Sequence, residues 1–99
     1  MIRHIVLWKL KAEDAAGREQ AVAAIAGALE PLAHVIPGIA NLVVRANVAY
    51  EDVNWDVALV GDYESVAALD AYQVHPEHVA AVQIVRANVR ERASIDYEL

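Results

Sequence analysis

Two of the four histidines in this 99-residue chain fall in one short segment, Tyr72-Gln73-Val74-His75-Pro76-Glu77-His78. Imidazole is the side chain whose ordinary pKa suits proton transfer near neutral pH. Pro76 sets the local geometry. The residue before a proline is pushed out of the helical region, and proline is favoured at the first helical position. A helix should therefore open at Pro76, with His75 at its N-cap and His78 in its first turn. The positive end of the helix dipole disfavours an imidazolium there. His78 is expected to stay neutral and able to accept a proton, as a general base must. Tyr72, just upstream, can bring a phenol to the same place. The alternative is structural: His75 only caps the helix and His78 only packs beneath it.

Other elements must hold this segment against something. Ile2 to Leu10 is β-branched and apolar and reads as a strand. His4, Val6, Trp8 and Leu10 share one face, and Ile5 and Leu7 lie on the other. Such a strand needs cover on both sides. Glu13 to about Ala33 reads as an alanine-rich helix with Val22, Ile25, Leu29 and Leu32 on one stripe. Pro31 should kink or shorten its last turns. Ile36-Pro37-Gly38 is a turn signal. Ile39 to Val48 and Trp55 to Tyr63 read as strands, with Ala49 to Asp52 as a polar connection. Ser65 is a plausible N-cap for a short helix, Val66 to Tyr72. Pro76 to about Asn88 is a second helical segment, with Val79, Val82 and Val85 at threefold spacing. Ala93 to Leu99 closes as a strand, with Ala93, Ile95 and Tyr97 on one face and Ser94, Asp96 and Glu98 on the other.

The order is the split βαβ, or ferredoxin-like, pattern. The expected fold is α+β: a four-stranded antiparallel sheet with helices on one face. The bare face carrying Ile5 and Leu7 calls for a second subunit, giving a homodimeric α/β barrel. Residues 1–99 are expected to form a single domain, without repeat or linker.

Composition narrows the function classes. Hydrophobic residues make up 58% and aromatics only 6%, so aliphatic side chains must supply the core. With no cysteine, there is no thiolate nucleophile, thiolate metal site or disulfide. The net charge of −6 argues against nucleic acid, whose phosphates need a basic surface. Arg86, Arg90 and Arg92 read as a solvated helix face. The start of the chain lacks the pattern of a signal peptide, and no apolar run reaches the ~18 residues of a membrane span. A cytoplasmic protein without membrane association is expected.

Several pieces, taken in order, resemble one family. They are Ile2-Arg3-His4-Ile5-Val6-Leu7-Trp8-Lys9, Ile36-Pro37-Gly38-Ile39, Trp55-Asp56-Val57-Ala58-Leu59, Tyr63-Glu64-Ser65, the run Ala71 to Val79, and Asp96-Tyr97-Glu98. The set is similar to the stress-responsive dimeric α/β-barrel (Dabb) family, and the resemblance spans nearly the whole chain. It implies a ferredoxin-like subunit and a homodimer, while leaving the reaction open. The best-understood activity in the family is that of a plant polyketide cyclase, a cofactor-free intramolecular aldol condensation. By that resemblance, Tyr72 and His78 match catalytic residues: His78 would take the proton α to a carbonyl and Tyr72 would donate to the oxyanion. His4 would line the pocket floor with Val6, Trp8 and Leu59. Ile25 and Leu29 stand where the cyclase has aromatic residues, and Trp8 is bulkier than its counterpart, so the pocket should differ in shape. Some plant relatives bind magnesium through main-chain carbonyls, which would fall here near Ala33, Ile36 and Ile39.

No resident metal or organic cofactor is expected. His75, His78 and Glu77 lack a further ligand in reach, and Asp56, Asp62 and Asp96 form no readable carboxylate pair. Tyr50, Trp55 and Tyr63 read as packing residues. The expected ligand is an apolar carbonyl compound, bound by Val6, Trp8, Ile25, Leu29 and Leu59 with His4, Tyr72 and His78 as the polar groups. No lysine or arginine is expected in that lining. Two function classes stand: a cofactor-free enzyme, cyclase-like or with oxygenase chemistry as runner-up, and a non-catalytic stress-response or small-ligand-binding protein.

Overall fold

Alternating burial runs along the first strand, β1 (Ile2–Leu10), of the computed structural model, which describes residues 1–99. His4, Val6, Trp8 and Leu10 are buried, and the residues between them are only partly so. The chain continues through α1 (Ala15–Leu29), β2 (Ile39–Ala46), β3 (Val57–Tyr63), α2 (Val66–Val74), α3 (Pro76–Asn88) and β4 (Val89–Glu98). The sheet order is β2-β3-β1-β4, and every neighbouring pair is antiparallel. This is the ferredoxin-like α+β architecture. No helix is long and apolar enough to cross a membrane.

Local chemistry sets the ends of the helices. The Asp14 carboxylate accepts from the Gly17 N–H at 2.6 Å and caps α1. That helix stops at Leu29, four residues short of the expected Ala33, and Glu30–His34 continues as a 3₁₀ turn. Pro31 explains the change, because its ring excludes the α-helical hydrogen bond at that point. Gly38 turns the chain at φ +87°, and a Cβ there would stand 2.8 Å from the Ala68 Cβ. Only glycine fits both the backbone and the close approach.

Three strand boundaries depart from expectation. β2 ends at Ala46, and β3 starts at Val57 instead of Trp55. Between them, Asn47 and Asn54 side chains donate to the Ala49 carbonyl. The Asp56 carboxylate accepts from the Leu10 N–H at 2.8 Å, so a side chain joins the backbone bonds that Asp56 makes to Trp8 and Asn47. Tyr50 sits in this loop at φ 53° and is 77% exposed, so it does not pack. β4 starts at Val89, four residues before the expected Ala93. Arg90 and Arg92 therefore lie on a strand, not on a helix face. Pairing with β1 overrides their weak strand propensity.

The core lies between the sheet and the helices, around Val6, Ile25, Leu29, Leu59, Tyr63 and Tyr72. On α3 the buried positions are Ala81 and Val85, while Val79 is half exposed. The opposite sheet face carries no helix. Ile5 lies between Val60 and Ile95, and Leu7 between Ala58 and Ala93. Ile95 remains 60% exposed in the single chain.

Candidate functional site

His75 joins two helices. It ends α2 and caps α3 with extended backbone, φ −62° and ψ 135°, as a residue before proline must. Its Nδ1 accepts from the Glu77 N–H at 3.1 Å, and its own N–H donates to the Tyr72 carbonyl at 3.2 Å. The break frees carbonyls at the end of α2 from helical partners. His78 fills one of them: its Nδ1 lies 3.0 Å from the Gln73 carbonyl oxygen. A carbonyl only accepts, so Nδ1 carries the proton and the lone pair of the neutral ring is on Nε2. Burial holds the His78 pKa below its ordinary value, the hydrogen bond to the Gln73 carbonyl opposes this in part, and the Arg92 charge acts in the same direction as burial. A neutral His78 was expected from the helix dipole; in the fold the first cause of the lowered pKa is burial.

Tyr72 lies on the last turns of α2 and is almost fully buried. Its ring centroid is 4.2 Å from that of His78. Burial pushes the Tyr72 pKa up to about 12, so the phenol keeps its proton. His4 enters from β1, directly opposite Asp96 on β4. Residues paired across strands project to the same face, and the His4 Nδ1 meets the Asp96 carboxylate. The sequence placed Asp96 on its strand face without a partner, because only the β1–β4 register joins the two.

Tyr63 links both sides of the site. Its ring lies 6.0 Å from His4 in an edge-on arrangement and 5.1 Å from Tyr72. Gly61 makes room for that ring, since a Cβ there would approach the Tyr63 ring edge to 2.9 Å. Tyr63 does pack, as expected, but its hydroxyl is buried without a hydrogen-bond partner. Burial raises its pKa as well, which keeps it neutral.

His4, Tyr72 and His78 border a cavity of about 400 Å³ between β1, α3 and β4. His4, Val6, Trp8, Leu29, Leu59, Tyr72 and His78 all line it. Ile25 does not. It is wholly buried in the core beneath, because its position on α1 points at the sheet and not at the opening. Trp8 and Leu29 narrow the space without closing it. Sequence reasoning missed the contribution of α3, where Val79, Val82, Gln83 and Arg86 give a wall one helical turn after another. The threefold spacing of Val79 and Val82 was legible, but it does not say what that face lines.

The absence of cationic lining also fails. Arg86 and Arg92 both border the cavity. Arg92 reaches it because β4 starts early and sets this residue opposite Trp8. His75 and His78 do not converge on a common point, since each is committed to a different backbone group. No group of three or more histidine, aspartate or glutamate side chains is arranged to hold a metal ion.

A ferredoxin-like sheet with a cavity on its helical side defines the class. The chain belongs to the stress-responsive A/B barrel domain family, whose sequence profile matches residues 2–99. Among solved structures, a dimeric ferredoxin-like protein from Bacteroides fragilis is 30% identical with a TM-score of 0.86, over 99% of this chain and 95% of that one. A dimeric ferredoxin-like protein from Thermobifida fusca is also 30% identical, with a TM-score of 0.78 over 99% and 90% of the two chains. A Dabb family protein from Mesorhizobium loti, 23% identical with a TM-score of 0.76 over 99% and 95%, shares the fold. No curated protein matches the sequence significantly.

Proposed function

We propose that the protein is a homodimeric, cofactor-independent enzyme that removes a proton α to a carbonyl in a mostly apolar substrate. The observation that carries this reading is His78. Its proton is committed to the Gln73 carbonyl, its basicity is kept low by burial, and the Tyr72 ring lies beside it at a tilt of 46°. Nε2 takes the α-proton, the C–H electron pair becomes an enolate, and the Tyr72 hydroxyl donates to the enolate oxygen. In an aldol-type reaction the enolate carbon then attacks a second carbonyl, and the His78 imidazolium returns the proton to the new alkoxide. The helical side of the sheet is filled in this way, and a second copy covers the other side. Dimeric relatives support that assembly.

The test is deuterium incorporation into phenylacetone in D₂O, followed by NMR. The wild type should exceed buffer, and His78→Ala should fall to the buffer rate with its fold intact. Tyr72→Phe should lose on the order of a hundredfold, the scale of one oxyanion donor. Exchange that survives in a folded His78→Ala removes His78 from the mechanism. Ligand binding without any exchange in the wild type favours the non-catalytic binding protein.

A further inference from the structure

We propose that the cavity binds a substrate carrying a carboxylate, and that Arg86 and Arg92 receive it. This rests in part on the reading above, which places the reacting carbonyl at His78 and Tyr72. The charge pattern is the starting point. Of the eight lysine and arginine side chains, Arg3, Lys9, Arg18, Arg45 and Arg90 each meet a carboxylate within 4.0 Å. Lys11, Arg86 and Arg92 meet none. Two of these three unpaired cations border the same cavity, in a chain whose net charge is −6. No acidic residue lines the cavity with them. The only contact from the Arg92 guanidinium is donation to the Ser94 Oγ at 3.2 Å, which holds it along β4 and leaves its other N–H groups free.

Backbone spacing gives an upper bound on the length of the ligand. His78 and Arg86 are eight residues apart on α3, about 12 Å along the axis. Arg92 stands opposite Trp8, four residues from His4 on β1, about 13 Å along the strand. The wall between is apolar, with Val6, Leu59, Val79 and Val82. A planar guanidinium suits a carboxylate because it can donate two parallel hydrogen bonds. The ligand is therefore an oxo acid of no more than that span. Its carbonyl lies at the His78 end, its chain on the valines, and its carboxylate at the two arginines.

Calorimetric titration with 9-oxodecanoate, its methyl ester and decyl phosphate tests this directly. The acid should bind at least about tenfold tighter than the ester, the scale of one charged hydrogen bond. Arg86→Gln with Arg92→Gln should bring the acid down to the level of the ester. The double lysine variant should keep part of the preference. Equal binding of acid and ester, a preference that survives the double glutamine variant, or tighter binding of the phosphate would each overturn the proposal. Binding is read without turnover, so a failed deuterium exchange alongside an intact acid preference would overturn the catalytic reading and leave this one standing.

Discussion

The Nδ1–H of His78 donates to the Gln73 carbonyl oxygen across the α2–α3 junction, 3.0 Å away. One hydrogen bond thus closes the end of one helix and fixes the tautomer of a residue in the next. The proposed proton abstraction requires the neutral ring. Because burial lowers the His78 pKa from 6.5, the rate should fall only in acid, below that value. The upper limit is set by Tyr72, near 12, so the profile should stay flat through neutral and mildly alkaline pH. A kcat/KM profile with an acid limb above 6.5 would contradict this assignment.

The same shift has a consequence for stability. The unfolded chain binds the His78 proton more tightly than the folded one, so stability rises with pH between the two pKa values. The contribution is complete above 6.5 and is lost as pH falls through the lower, folded value. His78→Asn should therefore flatten the acid side of the stability curve relative to wild type, as measured by urea unfolding at a series of pH values.

The Tyr63 hydroxyl is buried without a partner, which costs on the order of 1 kcal/mol or more. Tyr63→Phe should keep the ring contacts with His4 and Tyr72 and raise stability by about that amount. A loss of stability in chemical denaturation would mean that the hydroxyl is satisfied in solution.

His75 acts through its side chain at the α3 cap. His75→Asn should retain most of the stability, because asparagine caps well, whereas His75→Ala should lose about 1 kcal/mol. Equal thermal stability of the two variants would show that the proline and the extended backbone suffice.

Leu7 lies at the centre of the bare sheet face, between Ala58 and Ala93. A stable dimer buries about 1,600 Å² in total, and a charge at its centre is costly without a partner. Leu7→Asp should convert the dimer to monomer or aggregate in analytical ultracentrifugation. A wild type that sediments as a monomer at micromolar concentration would remove the dimer itself.

Most of the element order was legible because it depends on local signals. Alternation in β1, the caps at Ser65 and His75 and the breaks at Pro31, Gly38 and Pro76 each act within a few residues. The strand limits were less legible. Arg90 to Arg92 has weak strand propensity and becomes strand because β1 lies beside it. Trp55 and Asp56 alternate with the strand that follows, yet regular β3 begins only at Val57, and Asp56 spends its carboxylate on the Leu10 N–H.

The sequence alone determined the His75-Pro76 junction, since a proline fixes its own φ and restricts the residue before it, whatever the surroundings. It also placed Tyr72 and His78 on either side of that junction. What only the tertiary structure decided is what these residues face. His4 and Asp96 are 92 residues apart and meet through strand register. Arg92 reaches the cavity by the same pairing, and Ile25 drops out of the lining because α1 settles with that side chain turned into the core. Register and helix rotation arise from packing over the whole core, so no local run of residues records them.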